Sequence, residues 1–400
     1  MSTAVTAAVH APVDADGVRQ AMLGARETRE PLHLVGAGTW LDGGAPVRAV
    51  SRLRLDALTG IVAYEPGDLV ITALAGTPLA TLDRITADHG QWLALDPPAH
   101  GDATIGATLA TGAWGPLAHA IGTPRDLVLG LHAIAGTGES IRAGGRVVKN
   151  VAGFDLVRLF TGSRGTLGAI VECTLRLRAR PAHECTLALH VDRLGMLPAL
   201  ATALRAPTLA PLAIEFVNAH AARALSLPAH DLVLVRIGGN AAFVRAQRDA
   251  VARLAVAEEV PTATWSTLQR FALRAELAYR VSGPVTDVAV AAVRERARGW
   301  SHGEPFVRAS LGRGTVRVVV AAVDDDDRAR LPGASGTRRV HLERAPRHWW
   351  AGVDDGFATP LARRVRAAFD PDMLCNPRDE TPDTAPHDAP HTTAHGDVRG

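Results

Sequence analysis

Along the first 180 residues, apolar positions come in short blocks cut by glycine: LHLV (32–35), GIVAYEP (60–66), DLVITAL (68–74), LVLGLHAIAG (127–136) and GAIVECTLRLR (168–178). Blocks of this length bounded by turn formers predict strands with close connections. In GTPLATLDRITADHG, Thr77 is a candidate N-cap, Pro78 fits the first helical position and Gly90 closes the end. In LHAIAGTGESIRAGG, a Gly-Thr-Gly turn between two extended runs predicts a hairpin. Asp155 is placed to cap a short helix over LVRLFTG, with Phe154 before it packing back onto the sheet.

After Pro181 the rhythm changes. CTLALHVDRLGMLPALATALRA, APLAIEFVN, DLVLVRIGG and NAAFVRAQRDAVARLA read in turn as strand, helix, strand, strand and helix. VTDVAVAAVRERARG is a further helix, and PFVRASLGRGTVRVVVAAV is two strands about a Gly-Arg-Gly turn. The pattern predicts an α+β chain of two units, 1–180 and 181–378, the second a sheet with helices on one face. The acidic run 324–327 reads as a solvated loop. From 379 to 400 there is almost nothing to bury, and disorder is expected. His387, His391 and His395 there have helical ligand spacing, but prolines 382, 386 and 390 oppose the helix, so no metal site is expected.

Composition narrows the function classes. With 47% hydrophobic residues the chain can bury a large core, and a net charge of +2 gives no nucleic-acid signal. Arg294, Arg296 and Arg298 read as a solvated helix face. Cys173, Cys185 and Cys375 fit no disulfide, zinc or iron–sulfur spacing, so a reducing, cytosolic setting is expected. No apolar run approaches the roughly 18 residues of a membrane span. All cations except Lys149 are arginine, so most arginines need no local explanation and the single lysine stands out. A compact ammonium can satisfy carbonyls where a planar guanidinium would clash, or it can face an anionic ligand.

Four stretches combine small residues with exposed backbone: VGAGTW (35–40), PPAHGDATIGATLATGAWG (97–115), GTPRDLVLG (122–130) and GSRGTLGAI (162–170). None completes a familiar phosphate motif. Leu41 stands where G-x-G-x-x-G needs its third glycine, and no G-x-x-x-x-G-K-[ST] occurs. Each alone is most simply a tight turn. Glycine also lets backbone amides approach a ligand, and convergent amides form a concavity for a diphosphate. All four within one unit point to a nucleotide cradle.

KNVAGFDLVRLFTGSRGTLGAI resembles the signature of FAD-linked oxidases of the vanillyl-alcohol-oxidase, or PCMH, type. Within them it is similar to the FAD-binding E subunits of glycolate oxidase complexes. PLHLVGAGTW, LAGTPLATLDRITADHGQWLALDPP, ATIGATLATGAWGP, GTPRDLVLG and, near the end, FDPDMLCNP follow in the expected order. The resemblance is dense over residues 32–180 and thin beyond.

It implies a two-subdomain FAD-binding module followed by a smaller α+β cap domain. Val35, Gly36, Ala37, Gly38 and Thr39 would form the first pyrophosphate loop. Thr104, Ile105, Gly106, Ala107, Thr111 and Gly112 would form a second contact region, and Gly165, Thr166, Leu167, Gly168 and Ile170 would lie along the cofactor through backbone groups. Lys149 matches the family's K-N-x-x-G-[YF]-D pattern. Phe154 replaces the commoner Tyr, and Arg164 stands where related dehydrogenases often carry Glu. The first loop offers no His or Cys for covalent attachment, since His33 precedes it within a strand, so FAD is expected to be noncovalent.

The resemblance implies a redox subunit of a glycolate (2-hydroxy-acid) oxidase or dehydrogenase complex. Its partners would be a catalytic flavin subunit and an iron–sulfur subunit, and its setting cytoplasmic, with any contact at the inner membrane made through partners. The H-x-G-D-G-N-x-H motif of the catalytic hydroxy-acid dehydrogenases is missing; RIGGNAAF (236–243) has the glycines without the histidines. His100, His302, His341 and His348 remain as bases without a motif, and no catalytic residue is named. The competing readings are a structural subunit with a degenerate flavin site and a standalone FAD-dependent alcohol or sugar oxidase.

Overall fold

The computed structural model describes residues 8–40, 43–49, 51–145, 155–271, 275–351, 353 and 359–378. Lys149, Phe154 and the stretch 379–400 lie outside the described residues. The first unit begins with a small parallel sheet. Strands β1 (Val9–His10) and β2 (Leu32–Val35) flank β3 (Ser51–Arg54). Helix α1 (Ala15–Thr28) is capped by Asp14, which accepts the Gly17 N–H at 2.7 Å. Its Val18, Met22 and Ala25, at helical spacing, bury in one cluster with Leu32 and Leu53.

The remaining apolar blocks of the first half pair as an antiparallel sheet. Its strands are β4 (Ile61–Glu65), β5 (Val70–Leu74), β7 (Val128–Ala135), β8 (Ser140–Gly144) and β9 (Gly168–Arg176), ordered β4-β5-β9-β7-β8. A two-residue strand β6 (Gln91–Trp92) pairs with β10 (Arg178–Ala179) beside it. Helices α2 (Leu79–Ala87), α3 (Ile105–Thr111), α4 (Pro124–Leu127) and α5 (Leu156–Phe160) put Leu82, Leu109, Leu127 and Phe160 into one core with Ile71, Leu131 and Leu175.

The β7–β8 hairpin forms as the turn residues predict, with Gly138 at φ 83°. Asp155 caps α5 through the Arg158 N–H at 3.0 Å. Thr77 does not cap α2. Its hydroxyl sits 3.0 Å from Gly60 N and 3.2 Å from Gly60 O, and Pro78 takes the cap position.

The second half builds an eight-stranded antiparallel sheet among the described residues, ordered β14-β11-β13-β12-β16-β17-β15-β18. The strands are β11 (His183–His190), β12 (Ala213–Val217), β13 (Leu232–Gly239), β14 (Ala257–Glu259), β15 (Leu277–Ser282), β16 (Phe306–Ser310), β17 (Thr315–Val320) and β18 (Arg339–Arg344). Helices α6 (Leu197–Leu204), α8 (Ala241–Ala252) and α10 (Val288–Arg296) cover one face, with Leu200, Val251 and Ala292 packed into the cluster of Phe216, Val235, Tyr279 and Val318. On the other face, α7 (Ala219–Ala224) and α9 (Thr264–Leu268) cover Ala188, Ala213 and Leu234. The rest of that face meets the first unit.

Three local expectations change. The second sheet carries helices on both faces rather than one, because α7 and α9 cover the far side; α7 is too short to show periodicity, and its cap, Asn218 to the Ala221 N–H at 3.1 Å, is its clearest signal. The acidic run is solvated at Asp324, Asp325 and Asp326 but is an ordered turn with Asp327 buried, not a plain loop. Asp324 and Asp327 cap a 3-10 turn reciprocally, and buried Asp327 accepts from Ser301 N and Oγ and pairs with Arg330 at 3.1 Å. Nor are Arg294, Arg296 and Arg298 uniformly solvated. Arg296 pairs with Asp231 and Arg298 with buried Glu295, each at 2.8 Å, and Arg294 alone of the three is exposed.

After α11 (Pro360–Phe369) the chain returns to the first unit. Leu32 N–H donates to Leu374 O, Asn376 N–H to Leu32 O and Arg48 N–H to Pro377 O, at 2.9, 3.0 and 2.7 Å. Residues 370–378, grouped by sequence with the second half, thus lie along β2. No helix among the described residues is long and apolar enough to cross a membrane.

Candidate functional site

A β-carbon added at Gly36 would lie 2.5 Å from the Thr104 hydroxyl and 3.0 Å from Ala107 Cβ. The loop after β2 therefore rests directly on the start of α3. Gly112, at φ 63°, closes α3 with its Cβ position 3.3 Å from Gly162 Cα, which joins the second glycine-rich stretch to the fourth. Between these walls opens a cleft of about 280 Å³. Val35, Gly36, Gly38 and Thr39 line it from the first stretch. Thr104, Gly106, Ala107, Thr111 and Gly112 line it from the second, and Gly165, Gly168 and Ile170 from the fourth.

The other expected site residues do not line it. Ala37 is exposed, Ile105 and Leu167 point into the core, and the buried Thr166 hydroxyl donates to Ser163 O at 2.7 Å. Lys149 lies outside the described residues. The third stretch, 122–130, is structural. Thr123 and Asp126 form a capping box at the start of α4, and Arg125 donates to Thr161 O at 3.0 Å.

Several lining residues went unread in the sequence. His33 lines the cleft from β2, partly buried, and burial together with Arg52 lowers its pKa. Trp40 and Trp114 line it, and Asn376 supports it. The Asn376 side chain accepts from Leu34 N and donates to Arg164 O, both at 2.7 Å, so it ties β2 to the 162–165 turn.

The cap sheet forms the roof with Arg280, Arg317 and Glu343. Strand alternation puts these three, with Arg308 and Glu215, on the face opposite α6, α8 and α10, because Val281, Val307, Val316 and Leu342 occupy the other. Glu343 binds Arg317 bidentately at 2.6 and 3.0 Å and lies 3.7 Å from Arg280. These guanidiniums outweigh burial and hold its carboxyl down to about 2. Four arginines (164, 280, 317 and 378) and one carboxylate line the described cleft, which is therefore positive.

The histidines considered as bases sit elsewhere or pair with acids. His100 contacts Asp83 at 2.6 Å and His348 contacts Asp325 at 2.5 Å. His302 lies 3.7 Å from Asp324, and His341 is exposed on β18. Burial raises the pKa of all three cysteines, which are free thiols.

One acid at the seam between the units carries a pH prediction. Asp96 accepts from Leu117 N at 3.0 Å and Gln269 Nε2 at 3.3 Å, with Arg236, His100 and Arg308 nearby. Burial dominates and pushes its carboxyl to about 7 from an ordinary 3.8. The folded state therefore keeps a proton that the unfolded chain releases. Stability from this group is complete below 3.8, falls as pH rises to about 7 and is level above, by at most on the order of 4 kcal/mol. Asp96→Asn keeps an acceptor and loses the titration. Thermal scans between pH 4.5 and 8 should show a shallower decline for the variant; parallel curves would refute the assignment.

Residues 6–144 match the family model described as FAD binding domain. The chain carries an FAD binding domain. It is 41% identical over 160 residues to glycolate oxidase subunit GlcE of Escherichia coli K12, a match covering 40% of this chain and 45% of that protein. It is 30% identical over 212 residues to glycolate oxidase subunit GlcD of Bacillus subtilis 168, covering 53% and 45%. The matched part thus spans less than half the length of each of these relatives. The fold of 4-ethylphenol oxidase from Gulosibacter chungangensis superposes with a TM-score of 0.69 at 15% identity, over 92% of this chain and 88% of that one. The two-unit α+β fold, a module that carries the FAD binding domain match with a second sheet over it, is shared with that oxidase.

The cleft fits FAD by its own chemistry. Two glycine positions leave no room for a β-carbon between facing walls: Gly36 against Thr104, and Gly165, at φ 73°, against Asn376 Nδ2 at 2.6 Å. Both glycines line the cleft without a side chain, and the arginines that line it with them suit an anionic ligand.

Proposed function

We infer that this chain is the FAD-carrying redox subunit of a glycolate, or more broadly 2-hydroxy-acid, oxidising complex. The observation that carries the reading is the meeting of three glycine-rich stretches, from separate elements, in one positive cleft beneath the cap. Val35, Gly36, Gly38 and Thr39, with Thr104, Gly106, Ala107, Thr111 and Gly112, would hold the diphosphate largely through backbone groups. Gly165, Gly168 and Ile170 would flank the ring system, and Lys149 would add a cation. Bound FAD supplies the hydride acceptor for oxidation of a carbon bearing a hydroxyl.

The cofactor is held noncovalently in this reading, because the first loop has no His or Cys and the cysteines are buried away from the cleft. No catalytic base is assigned. Glu343, held near 2 by its arginines, is a poor proton acceptor at neutral pH. Electrons would leave to an iron–sulfur partner, since Cys375 alone cannot hold a cluster. A catalytic flavin subunit would complete an assembly in the cytoplasm.

The test is purification of the full chain, alone and with candidate partner subunits, followed by flavin analysis and addition of glycolate. The expected result is a yellow chain whose flavin is released by acid, with bleaching by glycolate in the assembled complex. A colourless chain that still assembles would make it a scaffold instead.

A further inference from the structure

The roof of the cleft holds more cations than its own acids can match. Neighbouring strands β16, β17, β15 and β18 present Arg308, Arg317, Arg280 and Glu343 on one face, with Arg308 opposite Arg317 and Arg317 opposite Arg280. Both oxygens of Glu343 are taken by Arg317. Arg280 Nε, 3.7 Å from that carboxylate, is buried without a hydrogen-bond partner, and so is Arg308 Nη1. The Arg280 guanidinium lies 5.7 Å from the centre of the Trp114 ring, which also lines the cleft, so it is held as a flat, oriented donor. A buried guanidinium with an idle N–H calls for an acceptor, and a planar carboxylate matches its geometry. The nearby acids do not supply one. Glu215 accepts from the Ser310 hydroxyl with one oxygen and has its other oxygen unpartnered, and burial pushes both it and Asp96 toward the neutral form, which weakens them as counter-charges.

We propose that Arg280 and Arg317, with Trp114 as a side wall and Arg308 behind them, form a subsite for the carboxylate of a small organic acid at the cap side of the cleft. The site binds the anionic end of the substrate and leaves the rest of the molecule toward the FAD-binding wall. It rests on the reading of this cleft as a flavin and hydroxy-acid site, and it deepens that reading by naming what recognises the acid. Glu343 is a positioning residue, fixing the plane of Arg317. The same arginines could instead serve the cofactor's diphosphate, and the test separates the two.

The experiment titrates the full chain, reconstituted with FAD, against oxalate, which has no C–H bond to oxidise, and against neutral glycolamide. Calorimetry and the flavin absorbance band report binding without turnover. Oxalate should bind at least tenfold more tightly than glycolamide. Arg280→Met and Arg317→Met should each weaken oxalate at least tenfold with flavin content unchanged, Arg280→Lys should recover part of the loss, and exposed Arg294→Met should have no effect. Thermal melts verify folding, and the lysine variant carries the test if a methionine variant does not fold. Oxalate binding that ignores both Arg280 variants overturns the proposal. Loss of flavin, rather than of oxalate, in the arginine variants also overturns it and assigns the arginines to the diphosphate. A wild-type chain that takes up no FAD refutes the functional reading instead, and calorimetry on the flavin-free chain still scores the carboxylate subsite.

Discussion

Glu343→Gln is expected to lower the stability of the cap by about 3–5 kcal/mol, the usual cost of stripping one partner from a buried ion pair. The carboxylate is 12% exposed and Arg317 11%, so water cannot replace the lost charge. The substitution leaves Arg280 and Arg308 each facing Arg317 across adjacent strands, where Arg317 lowers the tendency of both to stay charged. The pH dependence has a definite sign. A carboxyl held at about 2 against an ordinary 4.5 contributes stability above 4.5 and loses it as pH falls toward 2. Denaturant unfolding at pH 7 measures the loss, and the gap between wild type and variant should shrink on acidification. A second substitution, Arg317→Met, should return part of the loss, because the two residues are coupled. An E343Q protein as stable as wild type at pH 7 would mean that the pair is solvated.

Gly36→Val is expected to abolish flavin retention while leaving the cap folded. Even the first added carbon meets the Thr104 hydroxyl at 2.5 Å and Ala107 Cβ at 3.0 Å. Thr104 caps α3 through the Ala107 N–H, so the strain goes into the start of that helix or pushes the loop into the cleft. Either movement closes the space between the two walls. Gly67→Val is the matched control, since nothing lies within 4 Å of its added carbon. The measurement is flavin per chain after gel filtration, with at least a tenfold drop for Gly36→Val and none for Gly67→Val. Full occupancy in both would show that these walls do not grip the cofactor.

The legible parts of the chain are those whose partners are local. The Gly-Thr-Gly hairpin, the Asp155 cap and the glycine-rich loops each declare themselves within a few residues, because φ preference and side-chain capping act over that range. The 122–130 stretch misled because the same residue types also start a helix. Asn376 was unreadable for the opposite reason: its partner Leu34 is 342 positions away, and no spacing rule reaches so far. The roof arginines left a fainter trace. LAYRVS, FVRAS and TVRVVV each place an arginine within an apolar strand, a position that alternation assigns to one face. In a chain where arginine is the default cation, that trace merges with the background. The charged face became visible only when the sheet order brought the four strands together.

The two ends of the first module are made far apart in time. Strand β2 and the loop after it emerge early in synthesis, whereas Asn376, which pins Leu34 to the turn at Arg164, emerges only after the whole cap. Until then Leu32 lacks the peptide partners that Leu374 and Asn376 provide. A nascent chain that has not yet reached Asn376 is consequently expected to leave that wall of the groove unpinned, so firm cofactor uptake should follow the return of this strap.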